Sequence, residues 1–546
     1  MCLGMLLHEH TMPYEPSPYD EVPYRGTVGA NSSPAHLRTC ALWHHGPDPA
    51  SDAYRLVELG CGDGANLLPL AYYSPDSTFV GIDYSHTELD RAREAAQSLG
   101  LNNVHFVLKD VRDLAPAGFA PCDYVIAHGL YSWVPKDARE AILAFCRHSL
   151  APTGLAYISY NAQPGWGTRR LVRETLLRNP SVREAPLEEK AKRAIEAAAR
   201  LLEDLPSRDY AHAVLLGEEL ERVRDGKPFY VYHEYIADVN EGFWLGDFVE
   251  DARSHGLEYV ADAQFCRWEG HVPAELRDAL ARRSLDRVEQ EETADLLGDR
   301  YFRASILCRA DAPRTSSSHQ DLVERFHIAT SLSAVSDPFD LREGVVERFE
   351  GQGMVGENVP EVTLNAAITK AAVVLLAERW PAGMRLQELF DSAAALLTGH
   401  GCATPEGARS QLSDELTTLF EAGQVEFRWR EPAYPAELPE YPRGHALARF
   451  EAEHREALTS LYHVPIPFEP EIRAMVHDLD GCRSHAEIRD DFGRERVDET
   501  LQVLQRWGFL DREPAAPMMY GAARRAFDTE AVGLKASVDE QEPPIS

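Results

Sequence analysis

The sequence predicts an α/β protein. Its core is a Rossmann-like sheet of seven strands with a helical insertion, followed by α+β winged-helix-like C-terminal domains. Three observations predict the sheet. Residues 56–64 read LVELGCGDG, an apolar run closed by three alternating glycines. Residues 79–83 read FVGID, a second apolar run ending on Asp83, 19 positions after Gly64. From 56 to 160, strand-like and helical stretches alternate, the pattern of parallel strands joined by crossover helices.

Each element follows in order. Residues 13–55 are rich in Pro and Tyr and are expected to wrap over a ligand cleft. Residues 56–59 form a buried strand. Gly60, Gly62 and Gly64 let the backbone turn sharply and approach a ligand closely. The helix that begins at 66–71 points its N-terminus at that ligand. Asp83 ends the second strand, where a carboxylate accepts ribose hydroxyls. Residues 104–109 read as strand three, DYVIAH at 123–128 as strand four and LAYISY at 155–160 as strand five. Residues 168–179 and 187–224 are helical, with Ala194, Ala198, Leu201, Leu202 and Leu205 on one stripe. An antiparallel hairpin, 257–264 with 301–308, completes the sheet and makes 168–224 an insertion over the active site.

The second half reads differently. Residues 313–345 contain TSSSH and SDPFD and are expected to be a linker. Helices at 364–377, 386–397 and 405–421, Gly423 as a C-cap and a strand at 425–429 suggest a winged helix. The pattern recurs at 471–479, 484–492, 495–507 and 508–510. Residues 514–546 are acidic and Pro-containing, and disorder is expected there. The expected domains are 13–180, 181–312, 346–434 and 435–513, with 313–345 as the linker.

The chain has 546 residues, too many for one core. Its formal charge of −33 argues against nucleic acid as a partner, because neutralising phosphate needs clustered Lys and Arg. The third helix of the first winged-helix-like unit sets Arg409 against Glu406, Asp414, Glu415 and Glu421. The acidic balance suits a basic protein or peptide substrate. No pair of the nine cysteines has C-x-x-C spacing, so a zinc site is not expected. Scattered, odd-numbered cysteines suit a reducing cytoplasm. No run approaches ~18 apolar residues, so no membrane span is expected. Met12 is a second candidate start, with the first eleven residues dispensable. A homodimer is allowed and not required.

The glycine spacing is not the G-x-G-x-x-G of a dinucleotide binder. ELGCGDG at 58–64 instead resembles the first motif of class I S-adenosylmethionine (SAM) methyltransferases. That resemblance implies SAM as cofactor, with no metal. It implies that Glu58, Gly60, Cys61, Gly62, Asp63, Gly64 and Asn66 hold the amino-acid end of the cofactor. Asp83 and Tyr84 would hold the ribose, and Asp110 and Val111 the adenine, with His128 also in contact. The bland alternative is a Rossmann domain whose glycines only permit tight packing, with Cys61 as small-residue filler.

A narrower resemblance rests on YDEVPY at 19–24, DYVIAHGLYSWVP at 123–135 and SYNAQPGW at 159–166. HEYIADVN at 233–240, the run at 247–265, RYFRASILCR at 300–309 and LYHVPIPFEPEIRAMVHDLDG at 461–481 extend it. These segments are similar to SAM-dependent methyltransferases carrying a methyltransferase regulatory domain. That family includes protein-lysine methyltransferases acting on bacterial outer-membrane proteins. Where relatives usually carry a Gln and a His-Pro pair after YDEVPY, this chain reads ANSSPAHL at 30–37.

A sulfonium methyl is already activated, so the protein mainly orients the nucleophile and excludes water. A lysine acceptor must lose a proton, its unperturbed pKa being about 10.4. An aromatic channel disfavours the charged amine and can hold a methylated cation. Topology puts His128, Tyr131 and Trp133 after strand four and Tyr160 and Asn161 at the end of strand five. Tyr19 and Tyr24 lie in the N-terminal cover. Each has a bland reading as a packing or hydrogen-bonded residue, and Asp20 and Glu21 read equally as helix caps. A carboxylate acceptor would instead need a cationic clamp, for which Arg25, Arg169 and Arg170 are candidates. The sequence thus leaves three functions: lysine N-methylation, methylation of a peptide carboxylate or natural product, and SAM binding without catalysis.

Overall fold

The computed structural model describes residues 18–24, 26–49, 52–114, 119–205, 210–264, 282, 285–352, 358–432, 438–492 and 494–511. The expected disorder of 514–546, the alternative start at Met12 and the clamp candidate Arg25 lie outside these residues. The chain divides into two compact units, 1–431 and 432–546.

The first unit is built on the expected sheet. Strands β1 (Arg55–Leu59), β2 (Thr78–Asp83), β3 (Val104–Leu108), β4 (Cys122–Ala127) and β5 (Leu150–Ala162) are parallel. The two-residue strand β6 (Gly242–Phe243) pairs with the end of β5. Strands β7 (Leu257–Asp262) and β8 (Phe302–Arg309) form the antiparallel hairpin. The order is β3-β2-β1-β4-β5-β8-β7, with β8 antiparallel to β5. The connections reverse direction between β1 and β4, so a crevice opens at their carboxyl ends, where such sheets bind ligands. The central strands are apolar almost throughout because helices cover both faces; four of the five residues of β1 are buried.

The insertion is three main helices, Trp166–Arg178, Leu187–Asp204 and Ala211–Asp225. They bury Ala194, Ala198, Leu220 and Val223 against Tyr232, Tyr235 and Ile236. The segment Tyr232–Ile236 is a π-helical turn.

The linker expectation for 313–345 is corrected. Ser318 caps a helix at His319–Arg325, and strand His327–Ala329 follows. Leu322, Val323, Phe326, Ile328 and Leu332 are fully buried in one core with helices Ala367–Arg379, Leu386–Gly399 and Ala408–Glu421. The Ser- and Pro-rich spacing diluted this apolar pattern in the sequence. Strand Glu426–Arg428 pairs with His327–Ala329, as does Met384–Arg385. Gly423, at φ +72, follows the helix C-cap. Lys370 is buried, and its ammonium donates to the carbonyls of Asp340, Arg342 and Val345 at 2.7–2.9 Å.

The second unit packs helices Ala446–His454, Pro470–Asp478, His485–Phe492 and Arg494–Arg506 with a hairpin, Ala457–Thr459 and Pro465–Pro467. The first of these helices and the hairpin went unread in the sequence. Leu510, expected in a strand, makes an isolated bridge to Gly444.

Candidate active site

The glycine loop leaves β1 and lies against the end of β2. Gly60 and Cys61 N–H groups both donate to the Ile82 carbonyl, at 2.8 and 3.2 Å. The three loop glycines adopt φ of +70, +50 and +75, a region costly for other residues. They differ in what surrounds them. A Cβ on Gly60 would stand 3.0 Å from Leu130, and one on Gly64 3.0 Å from Leu68. A Cβ on Gly62 would meet nothing within 4 Å. Packing explains the first and third glycines, whereas the second faces open space that a ligand can fill. Asp83 turns toward the same space. Its Oδ2 accepts from Gly62 N at 2.9 Å and its Oδ1 from Ser85 N at 2.8 Å.

Asn66 ties the loop to its cover. Its Nδ2 donates to Glu58 Oε1 at 2.8 Å, and its Oδ1 accepts from Gly29 N and Ser32 Oγ at 2.9 and 3.2 Å. Burial pushes Glu58 up to about 8. Its Oε2 is buried with no hydrogen-bond partner among the described residues, an acceptor awaiting a donor. Open space at Gly62, an unmet acceptor on Glu58 and the Asp83 carboxylate together fit a ligand with ribose hydroxyls and a cationic end. The cover is fastened at its start, where Asp20 Oδ1 accepts from Ser85 Oγ at 2.7 Å and Thr87 N at 3.3 Å. Ser85 is the N-cap of helix His86–Ser98, its Oγ accepting from Glu88 N at 3.2 Å, and Asp20 adds an acceptor beside it. Cys61 is a buried thiol held protonated by desolvation. Asp63 Oδ1 accepts from Ala65 N at 3.1 Å. Tyr84 is 42% exposed, with its ring edge-on to Tyr19 at 6.1 Å. Val111 is half-buried. Asp110 commits both oxygens to Arg112, at 3.0 and 2.7 Å, and is held low by that partner.

The candidates after strands four and five divide by face. Residues alternate along a strand, so Tyr157, Ser159 and Asn161 share one face of β5 and Ala156, Ile158 and Tyr160 the other. Tyr160 is therefore corrected. It is fully buried against Phe248 and shares a 3.0 Å hydrogen bond with Ser305. Tyr131 is corrected as well. It is 1% exposed and packs edge-on against Phe243 and Phe248, in the core beneath the helices. His128 is half-buried, with Nδ1 3.2 Å from Tyr157 Oη and 3.3 Å from Ser159 Oγ. Desolvation lowers it to about 4, so its imidazole is neutral. Asn161 Nδ2 donates to Asn240 Oδ1 at 2.7 Å. Trp133 Nε1 donates to the His233 carbonyl at 3.3 Å.

His233 is the centre of an aromatic cluster that the sequence reading missed. Tyr19 stacks on it at 4.6 Å, and Tyr24 meets it edge-on at 5.3 Å. Phe229 lies against Tyr24 at 5.9 Å. The His233 Nε2–H donates to the Val22 carbonyl at 2.8 Å, and burial keeps the ring neutral. The neighbouring Glu234, 8% exposed, faces Arg169 at 3.5 Å. The available signal was the aromatic density of FYVYHEYI at 229–236 around one His-Glu pair. The proposed cationic clamps are occupied: Arg169 pairs with Glu219 at 2.8 Å, and Arg170 with Glu174 at 2.9 Å.

Comparison with known proteins identifies the domains and the fold. Residues 56–154 match the model of a methyltransferase domain, and 227–309 that of a predicted methyltransferase regulatory domain. An uncharacterized Rickettsia prowazekii protein, RP789, is 32% identical over 57% of this chain. The chain spans only 56% of that relative's length. A second uncharacterized R. prowazekii protein, RP028, is 30% identical over 43% of this chain and 93% of its own length. The fold is shared with PKMT2 from Rickettsia typhi, solved in complex with AdoHcy, at a TM-score of 0.77 and 24% identity. That match covers 89% of this chain and 100% of PKMT2. The enzyme class is that of a SAM-dependent methyltransferase, and SAM is the cofactor.

Proposed function

We propose protein-lysine methylation for a chain that belongs to the SAM-dependent methyltransferases carrying a methyltransferase regulatory domain. The observation that carries this reading is the aromatic cluster of Tyr19, Tyr24 and His233, with Trp133 Nε1 bonded to the His233 carbonyl and Tyr84, next to Asp83, edge-on to Tyr19. Aromatic faces hold a cation and leave an anion without a partner. The pairing of Arg169 and Arg170 with carboxylates weighs against an acidic acceptor.

In this reading the glycine loop and Asn66 hold the amino-acid end of SAM, with Glu58 accepting from its ammonium. Asp83 takes the ribose hydroxyls, and Tyr84 borders the adenosine. Bound SAM supplies an electrophilic methyl. The chain's own residues bring an amine into line with it and keep water out. His128, half-buried and neutral, braces Gly29 of the cover and supplies no charge. Asn161, through Asn240, steadies the turn that bears His233. Tyr24 and Trp133 border the acceptor amine, and Tyr19 closes the cluster toward Asp83.

The partner in this reading is a protein or peptide met in the cytoplasm. DNA is disfavoured because Arg409, on helix Ala408–Glu421, is already paired with Glu324 at 2.7 Å. No helix among the described residues is long and apolar enough to cross a membrane. Methyl-labelled SAM with a pool of lysine-containing peptides tests the reading. Label on lysine supports it, and label on carboxyl groups alone defeats it.

A further inference from the structure

We propose that Glu234 is the group that receives the proton of the acceptor lysine, an inference that rests on the lysine reading above. Three observations lead to it. First, Glu234 lies in the π-helical turn Tyr232–Ile236, all five residues of which are buried. Such turns are rare and concentrate at functional sites. Second, it adjoins His233 in that turn, whose ring stacks on Tyr19 at 4.6 Å and meets Tyr24 edge-on at 5.3 Å. Third, the turn is braced from the carboxyl end of β5. Asn161 donates to Asn240, and Asn240 Nδ2 donates to the Glu234 backbone carbonyl at 3.0 Å.

The neighbouring groups are poorer acceptors. His128 is lowered to about 4, and His233 is lowered by burial with its Nε2–H given to the Val22 carbonyl. Tyr19 and Tyr24 are protonated phenols. Glu234 is an acceptor whose affinity for a proton is raised by burial above that of an ordinary carboxylate. The titratable groups facing it are Arg169, Arg173, Glu219, Tyr19, Tyr24 and Tyr230. Arg169 opposes protonation, but its shorter bond goes to Glu219, at 2.8 Å against 3.5 Å to Glu234.

The step balances as follows. The lysine ammonium gives one proton to the Glu234 carboxylate, leaving a neutral amine and a neutral acid in a low-dielectric site. The nitrogen lone pair forms the new C–N bond as the methyl's bond to sulfur breaks. That electron pair stays on sulfur, the product is a methylammonium, and Glu234 later releases its proton to solvent.

The test is Glu234→Gln in the full-length enzyme, assayed from pH 7 to pH 10 on a lysine peptide chosen with the wild type from a peptide pool. Turnover near pH 7 should fall about 100-fold or more. The deficit should shrink toward pH 10, where free lysine deprotonates itself. Affinity for S-adenosylhomocysteine should stay within about two-fold, showing an intact fold. Replacing the lysine by the less basic S-aminoethylcysteine should restore part of the variant's rate at pH 7. A deficit independent of pH and of amine basicity, or unchanged turnover, overturns the proposal. If the wild type methylates no lysine in the pool, the lysine reading falls and takes this inference with it.

Discussion

Tyr19 stacks on His233 with ring centroids 4.6 Å apart and planes 17° from parallel. One ring comes from the N-terminal cover and the other from the regulatory region. Their contact joins two segments far apart in sequence. In the proposed reading, the methyl-transfer site needs both segments folded.

Gly62→Arg should abolish SAM binding, because a side chain at that glycine enters the open space of the cradle. Asp83→Ala should weaken binding by about 1–3 kcal/mol through lost charge-assisted hydrogen bonds. Titration calorimetry with SAM and S-adenosylhomocysteine reads both. Unchanged affinity in Gly62→Arg would remove the cofactor from this loop.

Trp133 and Tyr131 should now behave differently. Trp133→Ala should raise the KM for a lysine peptide roughly 2- to 30-fold, the reach of a cation–π contact of ~0.5–2 kcal/mol. Tyr131→Phe should leave turnover within about two-fold, and Tyr131→Ala should cost about 3–5 kcal/mol of stability, because the ring is a core residue. Steady-state kinetics and denaturant unfolding separate the two. A kinetic loss in Tyr131→Phe without a stability loss would restore that residue to the site.

These two tyrosine placements mark where the sequence was legible. The glycine loop, Asp83 at the end of its strand and the succession of strands are local patterns, and each emerged where expected. Tyr160 failed because proximity to a strand end does not fix a face; Asn161, one residue on, points the other way. His233 and Glu234 were missed because their site partners, Tyr19 and Tyr24, come from the other end of the domain. The helix at His319–Arg325 was missed because seven residues among Ser and Pro carry little periodicity.

A chain ended near Pro313 should be less stable than one ended after Glu431. Trp43 stacks on His319 at 3.8 Å and shares a core with Phe420 and Phe427. Truncation exposes Leu42 and Trp43, each worth about 2–3 kcal/mol of burial. Thermal unfolding followed by tryptophan fluorescence tests this; equal melting temperatures would contradict it.

Glu451 should make the second unit less stable as pH rises. Glu451 is buried, accepts from Thr459 N and Oγ1, and is pushed up to about 7 by desolvation. Its unfolded value is about 4.3. The folded state therefore binds the extra proton between these values. Its contribution is complete below about 4.3 and is lost as pH rises through about 7. The melting temperature of the wild type relative to Glu451→Gln should fall from pH 5 to pH 8, a comparison that cancels the opposite contribution of buried His445, which desolvation lowers to about 4. A wild-type stability that rises with pH relative to Glu451→Gln would contradict the assignment.

Lysine methylation is tested most directly by intact-mass analysis of a peptide treated with enzyme and SAM, before and after mild base. A methylated amine does not hydrolyse, so a gain of one or more methyl groups that survives base and maps to lysine is the expected result. A gain that base removes would identify an ester and contradict the amine acceptor that the Tyr19, Tyr24, Trp133 and His233 cluster supports.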